Sequence, residues 1–536
     1  MGQAQRPEGE PAPLLGSAVQ PALLLSCALL LLRLRPRRGA GAPPGRAPPG
    51  PPGWPLLGNV AQLGRLPHLT FCELARRYGA VFQLRLGLRA VVVLNGEAAI
   101  RQALVQRGAL FAGRPDFPSF RLVSGGRSLA FGRYSERWRA QRRAAAATLR
   151  AFCTAGAPGL RLFERHVAAE AQELVDGLVA LGGGGGYGDP APLLTVANAN
   201  VMCALCFGRR YPHGDGEFRA LLGRNDRFGQ TVAAGSLVDV LPWLQAFPNP
   251  VRRVFRDFQA LNRELHDFVR AQVAPHRRTF RPGAAPRHIS DAVLERLEHG
   301  PEARRRGLAG DCVEGTLTDL FGAGQDTTST ALAWVLLLLL KHPALRRQLQ
   351  GDLDRVVGRA RLPAAADRAA LPRLEAFLYE ALRYSSFVPL TIPHATTADV
   401  LLGGFRIPKD TVVFVNQWSV NHDPLRWKDP HVFDPARFLD AGQQALDRDL
   451  ACRVLLFSLG QRRCIGDQLA KLQLFLFTAI LLHQCDLQAN PAERLTMDCE
   501  HGLALKPLPY TLAATRRGPR PHPQGERPAG VAGASS

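Results

Sequence analysis

Cys464 lies between a glycine-rich loop and the start of an apolar helix, in the stretch Phe457–Gly466 (FSLGQRRCIG), and no other feature constrains the fold as strongly. Gly460 permits a tight left-handed turn that a residue with a Cβ resists. The backbone N–H groups of Ile465 and Gly466 are placed toward the sulfur. A helix opening at about Asp467 (DQLAKLQLFLFTAILLHQC) presents its positive end there. Arg462 and Arg463 add positive charge nearby. Together these features are expected to lower the thiol pKa and favour the thiolate, the form that binds a metal. The alternative is a buried cysteine that acts only as a small core hydrophobe.

A zinc site takes about four ligands. No CxxC lies near Cys464, and Cys452 and Cys485 are poorly spaced to join it. A lone thiolate suits iron in a porphyrin, where the macrocycle supplies the other in-plane ligands. Phe457, Gly460, Arg462, Cys464 and Gly466 match the pattern F-x-x-G-x-R-x-C-x-G. That pattern resembles the haem-binding loop of the cytochromes P-450, the haem-thiolate monooxygenases. The likeness extends over nearly the whole chain beyond its amino-terminal segment. Stretches such as FVPLTIPHATTA, KDTVVFVNQWSVNHDPLRW, FDPARFLD and AGSLVDVLPWLQAFPNPV resemble family 1, subfamily B. Two residues depart from that pattern: Gln461 replaces an expected lysine, and Gly324 an expected serine. The first removes a positive charge near the cysteine, and the second is expected to loosen the central helix slightly. The resemblance implies a mainly α fold with small β-sheets (α+β). It implies one large helical domain, residues 59–514, around haem b.

Composition is consistent with a large core: of 536 residues, 46% are hydrophobic and 21% charged. Length alone suggests about three domains, but no internal repeat or central linker divides the chain. The ten cysteines show no paired spacing, which points to a reducing compartment. The net charge of +22 comes almost entirely from arginine. No RNP, zinc-finger or basic-zipper pattern accompanies it, which argues against nucleic acid and leaves acidic lipid or an acidic protein. Residues 14–32 carry no charge and have the length of a membrane span. Arg33, Arg35, Arg37 and Arg38 follow, so a signal anchor with a short luminal segment, residues 1–13, is expected, with the globule in the cytosol. A cleaved signal peptide and an interfacial lie are the rivals. Residues 33–58 read as a basic, proline-rich hinge and 515–536 as a disordered tail. The expected location is the endoplasmic reticulum membrane, with a mitochondrial pool left open.

Alternation predicts a β-hairpin over Ala80–Asn95. Helices are expected over Glu97–Arg107, Ser135–Arg150, Val196–Phe207, Gly216–Phe228, Val251–Val273 and Ala376–Tyr384. Val400–Val415 reads as a second hairpin. Asp239–Pro250, Arg281–Arg287 and Glu298–Gly310 read as loops. Thr316–Leu340 is a long central helix. Asp319 and Asp326 within it argue for a buried core helix over a second span.

The central helix carries AGQDTT. Gly324 thins it, Thr327 can bond back to a carbonyl, and Asp326 beside Thr327 forms an acid–alcohol pair. The residues alone leave a kinked helix with a solvated Asp as the alternative. Ala323, Gly324, Asp326, Thr327 and Thr328 match the P-450 pattern, which implies proton delivery during oxygen activation. Trp138 and Arg142 share one helix face at i and i+4, as a basic surface helix also would. The resemblance makes both of them donors to one haem propionate, assigns the second propionate to His394, and adds Arg462 to the cofactor set. It makes Glu380, Arg383 and Arg437 a structural triad. The substrate residues it implies are Phe120, Phe131, Asn225, Phe228, Ala323, Gly324, Val388, Ile392 and Leu503. The substrates it implies are polycyclic aromatic hydrocarbons, oestrogens, retinoids and fatty acids including arachidonate. No flavin or nicotinamide fingerprint is present, so electrons are expected from NADPH through an NADPH–cytochrome P-450 reductase. The docking face proposed for it is Arg142, Arg143, Arg462, Arg463 and Lys471. The rival functions are a hydroperoxide isomerase or dehydratase that needs no reductase, and a non-catalytic haem protein. The acid–alcohol pair argues against the first as the sole activity, leaving hydroperoxy-lipid dehydration open as a secondary one, and against the second.

Overall fold

The computed structural model describes residues 45–232, 237–308 and 310–518, apart from a few side chains. The expected span, the first part of the hinge and the end of the tail lie outside the described residues. The first hairpin forms where alternation predicts it: β1 (Val81–Leu86) and β2 (Arg89–Leu94) pair antiparallel, Val81 opposite Leu94. Five long helices follow: α1 (Glu136–Ala151), α2 (Pro158–Leu181), α3 (Ala191–Phe207), α4 (Gly216–Val232) and α5 (Pro250–Thr279). The central helix is α6 (Asp311–Lys341), stopped by Pro343, which opens α7 (Pro343–Val356). Then come α8 (Pro372–Ser385), β3 (His394–Ala395), β4 (Val412–Val415) and α9 (Asp467–Gln484). The chain closes with β5 (Cys485–Ala489) paired antiparallel to β6 (Leu512–Arg516).

The described residues form one compact unit, mainly helical with small sheets. Its core is the apolar half of α6, where Ala331–Leu340 is buried on every side, together with the equally buried Leu472–Leu482 of α9. Helices apolar all round belong in the interior of a large core. Among the described residues no single helix is long and apolar enough to cross a membrane. The pair α6 and α7 passes by composition but bends by 107°.

Several expectations change. Val400–Val415 is not one hairpin: Val400–Leu402 pairs with Phe405–Ile407, and β4 leaves to run parallel to β2, Val91 opposite Val412. All four residues of β4 are buried, the mark of an interior strand in the sheet order β1-β2-β4-β3. The expected loop Asp239–Pro250 holds the end of a short helix, Leu237–Val240, and a 3-10 turn, Pro242–Ala246. Pro301–Arg306 is a helical turn inside the expected loop Glu298–Gly310. Helix α2 went unpredicted although Phe163, Val167, Ala171, Leu174, Val175 and Leu178 mark its buried stripe. The first residues of the expected tail are ordered: Thr515 and Arg516 complete β6, and Arg517 donates to Leu482 O (2.9 Å) and Asp354 Oδ2 (2.6 Å).

Glu380 and Arg383 on α8 are fully buried. Arg383 Nε and Nη2 donate to the two Glu380 oxygens at 2.7 and 2.8 Å, and Nη1 donates to Asn421 O and Pro430 O. Arg437 Nε and Asp434 N also donate to Glu380 Oε1, at 3.2 and 2.9 Å. Losing one partner strands a buried charge. Arg383→Ala is expected to cost about 3–5 kcal/mol in chemical denaturation. Leu425→Ala, at a residue 95% exposed, is expected to leave the curve in place.

Candidate active site

The cysteine loop is held by backbone geometry. Gly460 takes φ 69°, and a Cβ there would sit 1.8 Å from Leu104 O. Cys464 N donates to Phe457 O at 2.8 Å. Gln417 braces the loop: its Oε1 accepts from Ser458 N (3.0 Å) and its Nε2 donates to Leu456 O (3.2 Å) and Val388 O (3.0 Å). Cys464 is solvent-exposed although protein surrounds it on a wider radius, so it borders an internal void. The expected low thiol pKa is not found: burial pushes it up, opposed by the Gly466 N–H, raised further by Asp467, and lowered by Arg142 and Arg463. Desolvation outweighs the local positive charge at this sulfur.

Three guanidiniums and one imidazole gather beside this loop. Arg462 is buried, and it donates to Ala112 O (2.9 Å), Leu129 O (3.1 Å) and Gly132 O (2.7 Å). Trp138 Nε1 also donates to Leu129 O, at 2.9 Å, and Arg462 lies 3.7 Å over its ring. Arg142, 5.5 Å from the same ring, donates to Arg463 O. Arg114, which sequence reasoning missed, is buried and donates to Ala130 O, Ile392 O and Pro393 O. His394 is buried, its Nδ1 2.8 Å from Phe111 O and its Nε2 without a partner. Among the described residues no carboxylate pairs with Arg114, Arg142 or Arg462. Burial first, and mutual repulsion next, lower Arg114 to about 9 and Arg462 well below its usual range.

The middle of α6 opens onto the interior. Ala323 is exposed within a helix that is otherwise largely buried. Thr327 Oγ1 donates back to Ala323 O at 2.7 Å, and Asn198 Nδ2 donates to Gly324 O (3.1 Å) and to Gln325 O. Asp326 pairs with Lys506, Nζ to Oδ1 3.2 Å. Phe120, Phe131 and Phe228 form an edge-to-face series, with centroids 4.8 and 6.1 Å apart, in one apolar cluster with Ile392. Leu503 N donates to Gly229 O at 2.9 Å, beside Phe228. Val388 packs on the main core instead, and the side chain of Asn225 lies outside the described atoms.

A sequence model described as cytochrome P450 matches residues 48–514. The chain belongs to the cytochrome P450 family. It is 56% identical to "Cytochrome P450 1B1" of Homo sapiens over 478 residues, covering 88% of this chain and 87% of that protein. The mouse (Mus musculus) protein of the same name is 54% identical, with 88% of each chain covered. "Cytochrome P450 1A1" of the rabbit Oryctolagus cuniculus is 44% identical over 479 residues, 87% of this chain and 92% of that one.

A P450 is a haem-iron monooxygenase, and the residues present fit that cofactor. The thiol opens onto internal space, the neighbouring cations lack carboxylate partners, and a buried imidazole nitrogen is orphaned. Haem carries two carboxylates that such a cation set can receive.

Two expectations for this P450 need correction. Arg462 points into the interior and is not part of a docking face. Lys471 is only partly exposed, with Nζ 5.1 Å from the Tyr379 ring and 5.2 Å from Phe457. The expected loosening at Gly324 leaves no open space: a Cβ there would meet Met202 Cε at 2.7 Å, so methionine fills the place beside it. Gln461 is exposed. The signal for Arg114 was the Gly-Arg-Pro run 113–115, which has no periodicity to mark it.

Gly460→Ala combines a left-handed backbone with the Leu104 collision. The variant is expected to lose most haem incorporation, read as the ratio of Soret to protein absorbance.

Proposed function

We propose that this protein is a membrane-associated monooxygenase that oxidises flat aromatic and lipophilic molecules, with electrons from NADPH through a flavoprotein reductase. Bound haem would supply oxygen activation at iron ligated by Cys464. The observation that carries this reading is the solvent-open Cys464 thiol beside cations that lack carboxylate partners. Arg142, His394 and Arg462 hold the propionates in this reading, and Arg114 fixes the backbone between them; the single indole donor of Trp138, expected to join them, is given to Leu129 O instead.

The chain's own work is placement and proton supply. Thr327 keeps its hydroxyl proton at the void wall, donated to Ala323 O at rest, and turns to give it to the substrate oxygen. Asp326, paired with Lys506, stands beside Thr327, where its carboxylate takes up a proton from water and passes it back to the Thr327 hydroxyl. Phe120, Phe131 and Phe228 form an aromatic wall against which planar rings stack. Ala323 leaves room at the helix, with Ile392 and Leu503 as apolar sides. Polycyclic aromatic hydrocarbons, oestrogens, retinoids and fatty acids suit such a wall. The exposed Arg143 and Arg463, with the half-buried Arg142, offer an acidic reductase a cationic surface on the cysteine side.

An apolar surface supports the membrane location. Trp54, Leu56, Leu57, Leu88, Trp243 and Phe247 are all exposed. Gly87 joins their segments: its N–H bonds Leu57 O at 3.0 Å, and a Cβ on it would sit 2.5 Å from Val240 O. Large apolar patches mark interaction surfaces.

Cys464→Ser is expected to abolish the long-wavelength Soret band of the reduced carbon monoxide complex, and its persistence would end the haem–thiolate reading. Thr327→Ala is expected to keep that band and lose roughly tenfold or more in product formed per NADPH, within the range for a lost proton donor. Brominated lipid in vesicles is expected to quench tryptophan emission of the full chain. Trp54→Phe with Trp243→Phe should remove most of that quenching.

A further inference from the structure

The tetrapeptide Phe111–Arg114 (FAGR) holds three distant segments together. Phe111 O faces His394 Nδ1 at 2.8 Å, and Ala112 O accepts from Arg462 Nε at 2.9 Å. Gly113 O accepts from Ala395 N at 3.0 Å, and a Cβ at Gly113 would lie 2.5 Å from Ala395 O. Arg114 donates to Ala130 O (2.7 Å), Ile392 O (2.9 Å) and Pro393 O (2.9 Å). The His394 ring is therefore locked by its own strand and by the residues facing it.

A carbonyl can only accept, so the contact with Phe111 O places the ring proton on Nδ1. In the neutral ring Nε2 is then an acceptor, and it is buried without a partner. A carboxylate is also an acceptor. His394 can meet one favourably only with both nitrogens protonated. The charged groups facing the ring are Arg114 and Arg462, both cations.

We propose that His394 holds a haem propionate only as an imidazolium, taking up one proton as the cofactor binds, and that Arg114 is a positioning residue that sets the pH at which this proton is lost. The proposal rests on the haem reading of the site. Without the cofactor, burial and then the Arg114 charge hold the ring well below the usual imidazole range, against the Phe111 carbonyl, with Arg462 lowering it further. A carboxylate at Nε2 raises it. Between the two values the protonated ring is the binding form, so retention weakens as pH rises, by up to about tenfold in affinity per pH unit. Above the bound-state value the dependence ends. Cys464 contributes the opposite slope, because it must lose a proton to ligate, but it does so equally in every variant below.

The experiment is haem transfer from the purified holoprotein to excess apomyoglobin, followed by the Soret shift between about pH 6 and 9, around the imidazole range. His394→Gln supplies a neutral donor in place of the ring. The half-life of the native protein divided by that of His394→Gln is expected to exceed one at the acid end and to fall several-fold across the range. Arg114→Gln is expected to move that fall to higher pH, and Arg114→Lys to restore it. A ratio above one but flat in pH would overturn the proton uptake and leave the contact. A ratio of one throughout would remove the contact, while an intact carbon monoxide band would still uphold the Cys464 reading. An unmoved midpoint in Arg114→Gln would overturn the role of Arg114. If that variant takes up no haem, the His394→Gln and His394→Asn profiles decide the proton uptake, and failure of Arg114→Lys to match the native profile would count against the positioning role.

Discussion

Positive charge buried without an opposite charge is the constraint on which the rest of this structure depends. Taking a guanidinium out of water is costly unless it is paired or fully hydrogen-bonded. Arg114 and Arg462 direct their donors at backbone carbonyls of three separate segments, Ala112, Leu129–Gly132 and Ile392–Pro393. Carbonyl dipoles solvate the charge without cancelling it. The net positive field that remains is directed at the space beside Cys464, and an anionic ligand with two carboxylates is what it suits.

The buried carboxylates are treated differently. Asp319, on α6, accepts from Ser124 Oγ, Ser128 Oγ (2.8 Å), Leu129 N (2.5 Å) and Ala130 N (3.0 Å). Burial pushes its pKa up while these donors pull it down. The same Leu129 offers its carbonyl to Trp138 and Arg462. The central helix is thereby tied to the cation cluster through one residue's two backbone groups. Asp239 does similar work nearer the surface, where it accepts from Ser119 N (3.0 Å) and Ser119 Oγ (2.6 Å) beside Phe120. The walls of the space are thus positioned by saturated acids, and the unsatisfied charge is left for the cofactor.

The identity of α6 shows how composition and packing divide the argument. Its apolar half has the character of a membrane span, and in the sequence the two aspartates and the shortness of the uncharged run between Asp326 and Lys341 are what place it inside the protein. The structure supplies the stronger one: Asp319 has four donors, Trp334 Nε1 donates to Leu505 O at 2.8 Å, and Tyr510 Oη donates to Ala333 O at 2.7 Å. A lipid-facing helix offers no such partners.

The linear sequence was enough to place the cysteine loop, the left-handed Gly460, the helix that follows it, the first hairpin and the fold class. All but the fold class, which the resemblance to a known family supplied, are written in local backbone preference or in periodicity, which neighbouring residues share. It could not place Arg114, the buried side of Arg462, the parallel pairing of β4 with β2, or the raised pKa of Cys464. Those depend on which distant carbonyls and charges arrive at one point and on how much water they displace. Desolvation is a property of the assembled volume and not of any segment, so only the tertiary structure could decide that these cations are buried and that burial raises the Cys464 thiol pKa.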